Sequence, residues 1–447
     1  MQGKTTCGQG DAGYMDIINF AKKNGAEDVA VEIIDESMRQ IRFANNSITI
    51  GANWLRRRYD VFVAVKRSTA AAGICNEGGL ENAVRGIVKA AKLSKPSREY
   101  AGLAKGPFRY RNIPKTYDKK VEEADGVDIV HGAMNAAHEN AKNAAGVLYL
   151  RTVGRSVQTS EGVDASERLS SLKLSIRAFN SREESGHSVC SARTLADFDY
   201  EPAGAKAGET AKLARAPVQG KAGRYDVIFD QMAAASLIYH VAEFSTAFSV
   251  DSGFSFLANK VAKKIASNIV SIADSGIVPG GPASSAFDDE GVPTQETKLV
   301  ENGVLKTYLH NTSSAAKYST KTTGNAGIIS QHPHNIVFSA GKKPNEELFS
   351  QVKKGIYITN VWYTRFQNFY TGDFSTIPRD GIFVIENGEI KRAIKNVRVT
   401  DNLQRLFENV ACMGKERSWI TWWDEIPSPV YTPYVLIRDV NITLPTM

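Results

Sequence analysis

His240 and Glu243 are the residues whose types and spacing come nearest to a metal site. They stand three apart in Tyr239-His240-Val241-Ala242-Glu243-Phe244, so on a helix an imidazole and a carboxylate share one face, and together they are an acceptable ligand pair. Two ligands do not make a zinc site, which needs three protein donors when catalytic and four when structural. His310, His332 and His334 are candidates for a third, yet His332-Pro333-His334 reads as an exposed loop. His131 and His138 lie seven apart on a helical pattern. That returns them to nearly one face, as a ligand pair would need, but surface histidines are the better explanation. Cys7, Cys75, Cys190 and Cys412 are far apart and show neither Cys-x-x-Cys nor a disulfide framework, which suits a reducing compartment.

The element that positions His240 and Glu243 follows an apolar strand, Tyr225 to Phe229. Asp230 is placed as N-cap, and Ala233, Leu237, Ile238, Val241 and Phe244 recur at helical spacing, so a helix near 231–246 with one buried face is expected. A second helix is expected near 255–268, with Val261 and Ile265 among lysines. Strands then dominate. Asn302-Gly303 and Asn387-Gly388, each flanked by alternating apolar residues, predict type I′ hairpins, and Tyr434 to Ile442 predicts a closing strand.

The first half reads differently. A helix at 13–24 stops at Asn24-Gly25. Strands at 28–34, 38–43, 47–50 and 59–65 follow, with Asn45-Asn46 as a turn and Arg56-Arg57-Arg58 on a solvated edge. Helices are expected from Leu80, from Val127 and from Gly204, with strands at 146–153, 172–179 and 188–195 between the last two. The fold class is therefore α+β: a mixed α/β domain over 1–220 with an exposed connector near 96–116, then a large antiparallel, barrel-like β domain over 221–447 carrying the 231–246 helix against it. Such a domain makes a trough beside open strand edges, which suits extended peptides.

At 447 residues with 42% hydrophobic content, the chain can bury a large core. No apolar run is long enough to cross a bilayer, and Met1 to Gly10 lacks the pattern of a signal peptide, so a cytoplasmic location is expected. The net charge of +7, from 55 basic and 48 acidic residues, is spread along the length, so neither nucleic acid nor membrane is implied as a partner.

Phe287 to Thr294, Leu299 to Leu309, Tyr370 to Thr376 and Gly381 to Ile390, in this order and at these separations, resemble the TldD/PmbA family of peptidase proteins. In its TldD branch the helix matching 231–246 carries His-Glu-x-x-x-His, and a late Gly-x-Cys-Gly-Lys supplies a third zinc ligand. Laid on that motif, this sequence has Tyr239 for the first histidine, His240 for the glutamate and Phe244 for the second histidine. The stretch from Ile420 to Pro427, where the cysteine is due, has none, and Cys412 falls earlier, in a core segment. The chain thus resembles the PmbA branch, also called TldE, which lacks the zinc ligands.

That resemblance implies no catalytic residue and no metal on this chain, with zinc on a TldD-like partner. It implies a subunit of a heteromeric metallopeptidase that admits unfolded or leader-bearing peptides, such as microcin precursors and unstructured antitoxins. Tyr239, Glu243, Phe244, Gly372, Asp373 and Phe374 would line the shared cavity. Two alternatives stand beside it: a homodimer that binds peptides or a small ligand without cleaving them, and a metallopeptidase with unusual ligands.

Overall fold

The computed structural model describes residues 10–327, 330–423 and 425–445; Cys7 lies outside them. Helix α1 (Gly10–Lys23) leads into three antiparallel strands, β1 (Asp28–Ala44), β2 (Ser47–Val65) and β3 (Ser68–Ile74), and then helix α2 (Leu80–Leu93). After the irregular connector come a single turn, α3 (Lys120–Glu123), and helix α4 (Gly126–His138). Strands β4 (Asn143–Thr159), β5 (Asp164–Phe179) and β6 (Ser185–Ala192) complete a sheet in the order β3-β2-β1-β4-β5-β6, and α5 (Tyr200–Leu213) packs on its β5–β6 end.

The β1–β2 hairpin turns at Asn45 and Asn46, whose φ values of 50° and 63° are those a type I′ turn requires. Its strands are longer than the sequence pattern indicates. The expected breaks at 35–37 and 51–58 do not occur, because the charges there pair across the ladder. Arg57 Nε reaches Asp35 at 2.6 Å, and Glu36 takes Arg56 at 2.6 Å on one side and Arg151 on the other. Arg56, Arg57 and Arg58 therefore lie inside β2, on the part that β3 leaves uncovered, since β3 pairs only with Tyr59 to Val65.

The second half opens with β7 (Val218–Gln219), β8 (Gly223–Phe229), helix α6 (Gln231–Phe244) and a short α7 (Ala247–Asp251). Strands β9 (Ile272–Ser275), β10 (Glu296–Glu301) and β11 (Val304–Leu305), helix α8 (Thr312–Lys317) and β12 (Asn335–Phe338) follow. Next come β13 (Lys354–Asn368), β14 (Asp373–Glu386), β15 (Glu389–Lys395), β16 (Arg398–Asn402) and α9 (Leu403–Glu408). The last strands are β17 (Val410–Met413), β18 (Ser418–Trp422), β19 (Ile426–Thr432) and β20 (Val435–Thr443).

Strands β13, β8, β20, β16 and β14 pair in that order, and β14 pairs back to β13, closing a five-stranded barrel. The expected barrel-like body is present, with three strand pairs in this half, β8–β13, β12–β19 and β7–β15, running parallel. A second sheet, β11-β10-β9-β12-β19-β18, lies opposite, and α6 is held between it and β13. Both Asn-Gly turns form as predicted, with positive φ at Asn302 and Gly303 and at Asn387 and Gly388.

The helix expected near 255–268 is absent. Asn259 and Ala262 have φ of 61° and 65°, and the Ala262 and Ile265 N–H groups donate to Leu305 and Gly303 of the β10–β11 hairpin rather than four residues back. Phe256, Leu257, Ile265 and Ala266 are buried all the same. Their burial came from a loop pressed onto the core, which periodicity alone does not separate from a helix.

Phe287 to Thr294 ties the halves together. Phe287 is fully buried, and Asp288 accepts the Val292 and Ala326 N–H groups. Asp289 pairs with Arg155 of β4 at 2.8 Å, and Arg155 also meets Glu32 at 2.6 Å and Glu167 at 3.6 Å. Burial works against the Arg155 charge, but the three carboxylates outweigh it and hold the guanidinium above its ordinary range.

Candidate functional site

Helix α6 is apolar almost all round, as a helix inside a large core is. Every residue from Gln231 to Phe244 is buried except His240 and Glu243, so the single buried face expected from the sequence is an underestimate. Asp230 occupies the N-cap position with extended backbone, but its side chain caps nothing. It accepts Lys206 Nζ at 2.8 Å and the Tyr357 hydroxyl at 2.6 Å, linking α5 to the barrel.

His240 Nδ1 stands 3.0 Å from Glu243 Oε2, and the Glu243 side chain is 41% exposed against 13% for His240. The imidazole is enclosed by rings: Tyr239, Phe244 and Phe366 have centroids 5.3, 5.9 and 5.1 Å away. Burial, then the nearby Glu243 charge, pushes the Tyr239 phenol well above its ordinary value, so it stays protonated. Phe244 in turn touches Phe256, Phe366 and Phe369 at 5.7, 4.7 and 6.0 Å.

This cluster continues to the surface. Phe369 meets Phe254 at 5.4 Å, and Tyr370 lies across Gly253. Phe254, Phe369 and Tyr370 are exposed by 52%, 37% and 70%. Such a set of rings, with buried bases and open ends, forms an apolar shelf of the kind that marks a binding surface. The β13 residues in it were missed in the sequence, although the run from Trp362 to Tyr370 carries five aromatics in nine positions, unusual for a strand turning into solvent.

The expected lining residues divide. Glu243 faces the shelf, and Tyr239 and Phe244 form its buried floor. Phe374 is fully buried behind Phe366, 5.8 Å away, and lines no open surface, because the pleat of β14 turns it into the core. Gly372 is a turn residue with φ of 83°, and a Cβ there would meet the Phe256 ring at 3.1 Å. Asp373 accepts Thr371 Oγ1 at 2.6 Å and Asn402 Nδ2 at 2.9 Å, and the Asn402 and Thr371 bonds hold its carboxyl below the usual range. Both serve the hairpin.

The other histidines do not join His240. His310 is buried against Ser314, and burial pushes it down to about 4. His334 is buried too, against the expectation of an exposed loop, with Nε2 2.8 Å from the Gly324 carbonyl and its ring pushed down to about 3 by burial and His332. The cause is Asp274, which accepts the His334 N–H and fixes the loop inward. His332 is exposed, and His138 contacts Asn46 at 2.8 Å. Cys412 lies on β17, near Gln351, packed into a separate core cluster.

Zinc does not fit the donors at α6. Beside His240 and Glu243, Tyr239 offers a phenol that stays protonated and Phe244 a benzyl ring, and the segment from Ile420 to Trp423 offers the indoles of Trp422 and Trp423. Among the described residues no group of three or more His, Cys, Asp or Glu side chains is placed to hold a metal ion. A phenol and hydrocarbon rings bind apolar or aromatic groups, and His240 with Glu243 adds one polar point beside them. No helix among the described residues is long and apolar enough to cross a membrane.

A family model described as the PmbA/TldA metallopeptidase C-terminal domain matches residues 222–444. A metalloprotease PmbA homolog of Haemophilus influenzae is 26% identical over 375 residues, 80% of each chain. The metalloprotease PmbA of Escherichia coli O157:H7 is 28% identical over 190 residues, covering 42% of this chain and 41% of that one. Among solved structures, TldE from Thermococcus kodakarensis superposes with a TM-score of 0.86 at 22% identity, over 97% of this chain and 100% of that one.

Proposed function

Because this chain belongs to the PmbA/TldD family, we propose that it is the binding half of a two-chain peptidase: it holds unfolded peptide segments, and a zinc-bearing chain of the TldD type cuts them. One observation carries this reading. At the place on α6 where such a partner needs imidazoles, this chain has Tyr239 and Phe244, and both are built into an aromatic shelf that opens to solvent. Rings with one buried and one exposed face suit the side chains of an extended peptide, and their stiffness keeps the entropy cost of ordering low. The half-exposed Glu243, braced by His240, can accept a peptide N–H at the same place.

Mixing tests the proposal. Peptidase activity on an unstructured peptide is measured for a His-Glu-x-x-x-His chain from the same organism, alone and with increasing amounts of this chain. Activity per mole of the zinc chain should rise and saturate near equimolar mixing, and a complex should elute as one species. Activity unchanged across the series would remove the subunit role.

A further inference from the structure

Next to the shelf on β13 lies a second group of rings, crossed by arginines. Trp362 packs on Trp422 at 5.1 Å and on Trp423 at 6.4 Å, with Tyr363 5.9 Å away. Arg379 lies over Trp362 and Tyr363 at 5.2 and 5.9 Å, and Arg365 over Tyr363 at 5.6 Å. We propose that Arg379, Arg365, Tyr363 and Trp423 form a carboxylate-binding subsite, which holds the C-terminal carboxylate or an acidic side chain of a peptide lying along β13. This rests on the peptide-binding reading above and specifies one end of the ligand.

Charge comes first. Arg379 is exposed and has no carboxylate partner among the described residues, while Asp380 and Glu425 pair with other arginines. Asp380 takes Arg177 at 2.5 Å and Ser185 at 2.7 Å, and Glu425 stands 3.6 Å from Arg365. A guanidinium stacked on rings keeps its fork of donors pointing outward in a fixed plane, the geometry that grips a carboxylate with two hydrogen bonds.

Donors come second. The indole N–H groups of Trp362 and Trp422 are buried and have no acceptor among the described residues, although a buried indole ordinarily finds one. Backbone strain is the third observation. Tyr363 and Trp423, the two exposed aromatics here, have φ of 56° and 42°, a region bulky residues rarely enter. Tyr363 sits in a bulge where the β13–β14 register shifts between Trp362 and Arg365. Bulges of this kind re-aim side chains and recur beside binding sites.

Continuity joins this group to the shelf. Strand β13 carries Trp362 at one point and Phe366, which touches His240, one turn of the ladder further on, and Ser236 of α6 reaches Thr364 between them at 3.2 Å. An extended peptide on the shelf thus reaches the arginines within a few residues.

Three of the five tryptophans sit in this group, so intrinsic fluorescence reports its occupancy. The probe is a short unstructured peptide rich in Phe and Leu, without Asp or Glu, made as the free acid, as the C-terminal amide, and as the amide with one internal glutamate. The free acid should bind about tenfold more tightly than the amide. Arg379→Gln should bring it down to the amide's affinity, and Arg379→Lys should restore part of the difference. If the glutamate recovers the loss, acidic side chains are read as well; if it does not, the site reads chain ends. Equal binding of acid and amide, or a preference untouched by Arg379→Gln, overturns the subsite while leaving peptide binding standing. Failure of all three peptides to bind removes both.

Discussion

Arg155 and His240 each face acidic side chains, yet they do opposite things with them. Around Arg155 one guanidinium is shared by Glu32, Glu167 and Asp289 and also donates to Ser285 and the Phe287 carbonyl, so all three of its nitrogens are engaged. That centre is buried and joins the first sheet to the second half of the chain. At α6 the charge is sparse: one imidazole, one half-exposed carboxylate, and rings on the remaining sides. The comparison separates groups consumed in holding the fold from groups left free to meet something else. Density of ionisable residues is therefore a poor guide to function here, and the emptier place is the better candidate.

The contrast predicts unequal costs. Arg155→Ala leaves three carboxylates buried without a cation, so unfolding in urea should show a loss of about 3–5 kcal/mol, at the limit of what the chain tolerates. Arg155→Lys should recover little, because an ammonium cannot span the same partners. A variant with unchanged midpoint would show that this centre does not hold the halves together.

Phe366→Ala comes next. The ring is half-buried between Phe244, His240 and Phe374, so a stability loss of about 2 kcal/mol is expected, together with weakened binding of an aromatic peptide. Weakened stability with undiminished binding would mean that the shelf is core and nothing more.

His187 gives a smaller effect with a definite sign. Its Nε2 lies 2.8 Å from Ser175 Oγ and its Nδ1 2.9 Å from Asn360 Nδ2. Burial, with Asp380 opposing and Arg177 assisting, pushes it down to about 4. Between the ordinary histidine value and about 4 the unfolded chain takes up a proton that the folded chain refuses, so this contribution is complete above that window and lost as pH falls through it. His187→Gln should flatten the fall in stability by up to about 1.4 kcal/mol per pH unit there, relative to the parent chain. Parallel pH profiles would contradict the neutral buried imidazole.

Glu243→Gln is expected to do least to the fold, within about 0.5 kcal/mol, while changing peptide affinity. It sharpens the comparison: the same kind of acid that is indispensable beside Arg155 is dispensable for folding at α6.

Much of this was legible in the residues. The Asn-Gly turns at 302–303 and 387–388 and the Asn45-Asn46 turn carry their own backbone requirement, and α6 declared itself through Leu237, Ile238 and Val241. What misled was burial without regular structure. Phe256 to Ala266 has helical spacing, but the N–H groups of Ala262, Ile265 and Ala266 are claimed by the β10–β11 hairpin, a partner that lies over thirty residues away and that no local pattern records. Asp230 looked like a cap and is a tie to Lys206 and Tyr357, because the barrel brings them within reach. The shelf needed tertiary structure too, since Phe366 and Phe369 meet Phe244 only when β13 crosses α6, and Phe254 joins through Phe369. The degenerate positions 239, 240 and 244 could be found by resemblance, but not their being rings that stack.

The most direct test is to incubate the pure chain with equimolar zinc and an unstructured aromatic peptide, following binding by tryptophan fluorescence and the peptide by mass spectrometry. The account predicts saturable binding, with the peptide recovered intact and the same affinity after chelation. Cleavage that needs the metal and stops on chelation would contradict it.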